Sequence, residues 1–262
     1  MNRGAEVPYV RGILSTITTA GAATTLALML PILCAAQSLT PSEALSQYLA
    51  SSRDQQSGGS DSVLSVRIYA SWPALRKQGS MSGLKVVSET GQIVYRGLRF
   101  TGDNLIKTHV IARFLANDTN PPGRADNVGV TQQNYVFTYD KTADYNGLSA
   151  YVFLLKPRRK RAGLFRGELW LTADTAKPLR LWGDLVKSPS IFVRSFRFVQ
   201  DYQMVEGRSQ PLRLLLTART RIAGTVEMAV WQHPAASTAE LTEAGDDNFE
   251  FQEVKRQNED RD

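Results

Sequence analysis

Two histidines, one cysteine and a scatter of carboxylates are the groups that could do chemistry in this 262-residue chain. His109 and His233 are far apart in sequence, and neither has a second histidine three or four residues away. A zinc site needs three or four such ligands at close spacing, so this pattern offers none. There is no Gly-x-Ser-x-Gly elbow for a serine nucleophile and no glycine-rich phosphate loop. Ser188 and Ser195 lie near basic residues, but Ser188-Pro-Ser190 reads as a turn. The carboxylates of Glu168, Asp174, Asp184 and Asp201 are spread over four segments, and spacing does not pair them for acid–base work. No catalytic set, metal site or cofactor site can be assembled, and the sequence predicts a protein that is not an enzyme. A hydrolase would need a cleft holding a buried Asp/Glu pair, or a serine beside His109.

One cluster stands out for charge: Arg158, Arg159, Lys160 and Arg161, between two apolar runs. Four cations in an interior would cost several kcal/mol each, so this run must point outward. It is a solvated turn or a contact for anionic headgroups or an acidic partner. The net charge of +6 is unevenly spread: residues 150–225 carry 15 Lys and Arg against five Asp and Glu, and residues 232–262 carry three against nine.

The N-terminus indicates where the chain works. Arg3 and Arg11 precede the apolar run 22–36, which ends in small residues with Cys34 and Ala36 at the −3 and −1 positions of a cut before Gln37. That is the layout of a secretory signal peptide over residues 1–36, too short in apolar length for a typical spanning helix. An uncleaved anchor is the alternative. Export makes nucleic acid an unsuitable partner. Cys34 is the only cysteine, so the exported part would contain no thiol and no disulfide. Leu33 is too bulky to precede an acylated cysteine, so lipid anchoring at Cys34 is not expected.

The elements that would position any site follow from periodicity. Thr40 to Ala50 reads as a helix, with Thr40 as N-cap, Pro41 at N1 and Glu43 completing a capping box. Ser51 to Ser62 reads as a loop. Val63 to Phe100 alternates with period two and gives three antiparallel strands, with a turn at Glu89-Thr90-Gly91. Asp103 to Leu115 returns to helical spacing, with Asp103 as cap and Leu105, Val110, Ile111 and Phe114 on one side. Seven more strands are predicted between Tyr135 and Trp231, most joined by short turns. The run Leu148–Leu155 is apolar on both sides, as if covered twice by a helix or the tail. Residues 37–234 would form one mainly β domain with few helices, and residues 235–262 an acidic tail.

The segment from Tyr151 to Leu214 carries three motifs. They are the strand Tyr151-x-x-x-Leu155-x-Pro157, Trp170 and Asp174 followed by Lys177-Pro178-Leu179-Arg180, and Phe198-x-x-x-Tyr202 leading to Gly207 and Pro211. These resemble the outer-membrane lipoprotein-sorting protein superfamily, the LolA/LolB-like periplasmic proteins. The resemblance implies a curved antiparallel sheet forming an incomplete β-barrel, with helices over its concave face. It implies a periplasmic carrier for a lipid or lipoprotein acyl chain, in peripheral contact with membrane, or else an envelope sensor or protein-interaction module of the same fold. Apolar side chains at Leu169, Trp170, Trp182, Phe196, Phe198 and Leu214 are the candidate lipid-binding residues, with Phe192, Tyr202, Leu212 and Leu216 on the same strands. Arg158, Arg159, Lys160 and Arg161 are the candidate anionic-surface contact. The acidic tail has no counterpart in the motifs.

Overall fold

The computed structural model describes residues 38–57, 62–119, 128–205 and 207–235, with the backbone alone for 53–57. The signal-peptide reading of residues 1–36 falls outside them, as does the acidic tail beyond Ala235.

Ten strands form one antiparallel sheet: β1 Ser62–Trp72, β2 Lys77–Val87, β3 Ile93–Gly102, β4 Tyr135–Tyr145, β5 Leu148–Pro157, β6 Phe165–Thr172, β7 Pro178–Leu185, β8 Val193–Val205, β9 Arg208–Thr220 and β10 Thr225–Pro234. β4 to β10 run as a meander, and β10 pairs with β1, which leads through β2 to β3. β3 and β4 end the order, so the sheet does not close into a barrel.

Helix α1, Pro41–Ser57, starts as its sequence dictates. The Thr40 amide and hydroxyl both donate to the Glu43 carboxylate, each at 2.8 Å, and the Glu43 amide donates back to the Thr40 hydroxyl. These bonds hold the Glu43 carboxyl below its ordinary pKa. The helix runs on to Ser57, through residues the sequence assigned to a loop. Leu49 is buried as the helix continues through Ser51 and Ser52, whose hydroxyls bond back to the Tyr48 carbonyl instead of ending the turn.

The second helical segment, α2, joins a turn at Asn104–Ile106, a π-helical stretch Lys107–Ile111 and an α-helical stretch Ala112–Thr119. Asp103 caps it by accepting from the Leu105 amide at 2.8 Å. The wide turn brings residues five apart onto one face. That is why Ile106, Ile111 and Leu115 are the fully buried residues; of the four that a regular 3.6 period grouped, Ile111 is buried, and Leu105, Val110 and Phe114 pack part-buried at the margin of the same core. Tyr95 and Lys85 fasten the end of the segment: the tyrosine hydroxyl donates to Asp118 at 2.7 Å and the ammonium lies 2.8 Å from it.

Strand register assigns the two faces. One row of cross-strand partners runs Phe100, Met81, Ile68, Val230, Leu214, Gln200, Leu181, Leu169, Phe153, Tyr139, one residue from each strand. Side chains alternate along a strand, so the neighbouring row faces the other way. It runs Arg99, Ser82, Arg67, Trp231, Arg213, Asp201, Arg180, Trp170, Val152, Lys141. The first row is apolar except for Gln200, and the second is mostly polar.

Both helices pack on the face of the apolar row. α2 seals a core with Val66, Ile68, Ala70, Met81, Met228 and Val230. α1 places Ala44, Leu45 and Tyr48 over Tyr151, Phe153, Leu155, Leu169 and Leu171. β5 is buried on its second face only at Ala150 and Val152, beside Trp170, while Leu154 is 41% exposed. Neither described helix lies on that face, and the tail, the other cover the pattern suggested, falls outside the described residues.

Candidate functional site

The apolar row changes character along its length. Met81, Ile68 and Val230 are 2% exposed or less under α2, and Leu169 and Phe153 are equally buried on the α1 side. Between them Leu214, Gln200 and Leu181 are only half-buried. The same holds up and down the two central strands: Phe196, Phe198 and Tyr202 on β8, and Leu212, Leu214 and Leu216 on β9, are all half-buried. These strands have eight other strands beside them, yet neither carries a fully buried side chain on the helix-bearing face. The result is a strip of aromatic and aliphatic side chains flanked by two closed cores.

Each margin of the strip has a defined wall. On the α1 side, Phe198 meets Phe165 edge-on at 4.8 Å, and Phe165 meets Tyr135 at 5.0 Å. Gly183 makes room for this stack, since a Cβ there would lie 2.3 Å from the Phe165 ring. The Tyr135 hydroxyl accepts from the Phe165 amide at 3.3 Å, and burial pushes its pKa up to about 12. Tyr48 of α1 and Tyr202 of β8 are close enough to influence one another, and burial raises both phenols. On the α2 side, Leu214 and Leu216 pack against the core that contains Ile111 and Leu115. Gln200, the polar member of the row, turns its amide to the backbone carbonyls of Asp201 and Arg213, at 2.8 and 3.1 Å. That satisfies groups at the register shift between Asp201 and Tyr202 and leaves no polar amide unpartnered in the strip.

The reverse face under the same strands is an ion cluster. Asp201 is 3% exposed and accepts from Arg180 at 2.7 Å, from Arg213 at 2.8 and 3.2 Å, and from the Tyr145 hydroxyl at 3.1 Å. Burial opposes its charge, but Arg180 first and Arg213 second outweigh it, so the carboxyl stays below its ordinary pKa. Arg180 also lies over the Tyr145 ring at 5.0 Å, and Tyr145 packs edge-on against Trp170. Trp170 donates to Glu168 at 2.8 Å. Trp182 lies beneath Arg197 at 5.7 Å, and Arg197 pairs with Asp184 through two bonds of 3.0 Å.

The six candidate lipid-binding residues therefore divide. Phe196, Phe198 and Leu214 come together in the open strip. Leu169 shares their face but is fully buried in the α1 core. Trp170 and Trp182 are on the opposite face, because each is one residue out of phase with Leu169 and Leu181. Phe192 precedes β8, in the turn, and is 65% exposed. Arg158, Arg159, Lys160 and Arg161 form the exposed β5–β6 turn, with Arg158 donating to the Gln132 carbonyl. What the sequence pattern missed was the strip's openness, because half-burial leaves no mark on a period-two pattern.

His109 and His233 are both exposed. Among the described residues, no group of three His, Cys, Asp or Glu could hold a metal ion. Asp201 is the one fully buried carboxylate among them, and it is paired with arginines.

No family model matches the chain, and no curated protein matches its sequence. Solved structures similar to it include a LolA superfamily protein from Nitrosomonas europaea (12% identity, TM-score 0.34, 78% of this chain and 97% of that one), an outer membrane lipoprotein-sorting protein domain from Vibrio parahaemolyticus (12%, 0.37, 76% and 97%), and a DUF1329 family protein from Desulfovibrio piger (10%, 0.36, 72% and 91%). The first two are of the group that the motifs between Tyr151 and Leu214 resemble.

Proposed function

We propose that the protein is an exported, periplasmic, non-enzymatic carrier that holds an acyl chain of a lipid or lipoprotein along the inner faces of β8 and β9. In this reading the helix-bearing face is the concave one. The observation that carries it is the open strip of Phe196, Phe198, Leu214 and Leu216 between two sealed cores. Leaving such side chains half-wet in the middle of a wide sheet forgoes burial worth about 25 cal/mol per Å². An acyl chain would supply the missing cover at roughly 0.8 kcal/mol per methylene, before the cost of ordering the chain. The surrounding cores keep the strip preformed, which limits that cost.

Native mass spectrometry of the protein purified from its own envelope, together with uptake of a fluorescent fatty acid, tests this reading. A retained lipid mass and saturable uptake are expected. Failure of both would contradict it.

A second reading is an envelope module that binds a polypeptide. β3 and β4, which end the sheet order among the described residues, favour it, since an added strand could hydrogen-bond there. Hydrogen-exchange protection along Ile93–Gly102 or Tyr135–Tyr145 on partner addition, with none at Phe198 or Leu214, would distinguish it from the first.

A further inference from the structure

Four turns meet at one end of the sheet: β1–β2, β5–β6, β7–β8 and β9–β10. Hydrogen bonds lace them together. The Val186 amide donates to the Leu164 carbonyl at 2.9 Å, joining the second turn to the third. Arg221 joins the third to the fourth, its amide donating to the Phe192 carbonyl at 3.0 Å and its Nε to the Ile191 carbonyl at 2.7 Å. The Trp72 indole donates to the Ala223 carbonyl and joins the fourth to the first.

Two features coincide there. The first is apolar exposure: Ile222 is 89% exposed, Ile191 79% and Phe192 65%, the three most exposed large hydrophobics among the described residues. They are held out rather than left loose. Ser190 accepts from the Phe192 and Val193 amides, Ser188 donates to the Ser190 carbonyl, and Thr220 closes its own turn onto Ala223 and Gly224. The second feature is charge. Segments 73–77, 158–163, 186–194 and 219–224 all contain Lys or Arg and no Asp or Glu. Asp103, at the start of α2, pairs with Lys77 at 2.8 Å. The opposite end is mixed, its turns and strand ends carrying Glu89, Asp144 and Asp174 as well as Lys177 and Arg208.

We propose that this end is a docking surface for an anionic lipid bilayer, with Ile191, Phe192 and Ile222 entering the headgroup region and the cations of the adjoining turns facing the lipid phosphates. Charge complementarity selects this occupant: apolar tips among turns that carry cations and no acidic residue of their own, with Asp103 beside them already paired to Lys77, match an interface that is greasy inside and negative outside. Each cation brought near such a surface strengthens binding by about fivefold. The docking does not depend on anything lying along β8 and β9, so a variant that no longer takes up a fatty acid would still bind the membrane.

The test is co-sedimentation of the full chain with vesicles of phosphatidylcholine alone, and of phosphatidylcholine mixed with phosphatidylglycerol. The N-terminal apolar run is common to every variant and cancels from the comparison. The wild type is expected to bind the mixed vesicles much better than the neutral ones, and less as salt is raised. The triple change Ile191→Ser, Phe192→Ser and Ile222→Ser should lower the partition coefficient by about tenfold or more. Reversing Arg158, Arg159, Lys160 and Arg161 to Glu should lower it at least as far and flatten its salt dependence. All seven side chains lie in exposed turns, and an unchanged thermal melt would show that each variant is folded. Equal binding to both vesicle types, or wild-type binding by both folded variants, would overturn the proposal. So would loss of a protein partner in these variants without any vesicle binding by the wild type.

Discussion

Leu169 on β6 and Leu214 on β9 stand in the same cross-strand row, on the same face, with β7 and β8 between them. Leu169 has no exposed surface, while Leu214 remains half-wet. The difference lies in what covers them. α1 covers β6, and α2 covers β10, β1 and β2, but β8 and β9 lie between the two. The comparison teaches that an apolar strand pattern specifies a face and not its cover. In the flanks the apolar pattern is sealed by a helix, and in the middle it is not.

The two regions should respond differently to the same kind of truncation. Phe153→Ala, in the α1 flank, should cost about 3–5 kcal/mol in a urea titration, because a buried ring leaves a cavity. A loss under about 1 kcal/mol would mean the flank is as loose as the middle.

Asp201→Asn tests the support beneath the strip and should cost about 3 kcal/mol, since Arg180 and Arg213 would lose their shared carboxylate. Asp201 has a folded pKa below its ordinary 3.8. Its contribution is therefore complete above the unfolded pKa and is lost as pH falls through the folded one. Acid titration of stability should be shallower in the Asn variant than in the wild type over that range.

Leu214→Ala should cost only about 1.5 kcal/mol, because the side chain is already half-exposed, yet it should weaken fatty-acid uptake measurably. A stability loss as large as that of Phe153→Ala would contradict the openness of the strip. Smallest is Thr40→Ala, which removes the α1 cap and should cost about 1 kcal/mol in thermal or urea unfolding, without altering uptake.

Much of the fold was legible because its signals are local. Thr40, Pro41 and Glu43 announce α1, and the alternation in Val66-Arg67-Ile68 or Leu214-Leu215-Leu216 needs only a sheet face to act on. Two misreadings have long-range or cooperative causes. The extension of α1 to Ser57 runs through Ser51 and Ser52, whose hydroxyls bond back to the Tyr48 carbonyl, and a serine-rich sequence reads as a loop until that pairing is seen. The buried face of α2 was read correctly at Ile111 but missed Ile106 and Leu115, because a π turn shifts the period by one residue. The site was half legible. Phe196, Phe198 and Leu214 were placed together by alternation, but Trp170 and Trp182 were attractive for their size and are out of phase with that face. Register settles such a question, and register needs both strands.

The most direct measurement is photo-crosslinking of a diazirine-bearing fatty acid to the folded protein, followed by mapping of the labelled peptides. Labels on Phe196, Phe198, Leu214 and Leu216, with none on Phe153 or Ile68, are the expected result. Labels concentrated in the α1 or α2 cores, or on Trp170 and Trp182 across the sheet, would contradict the account.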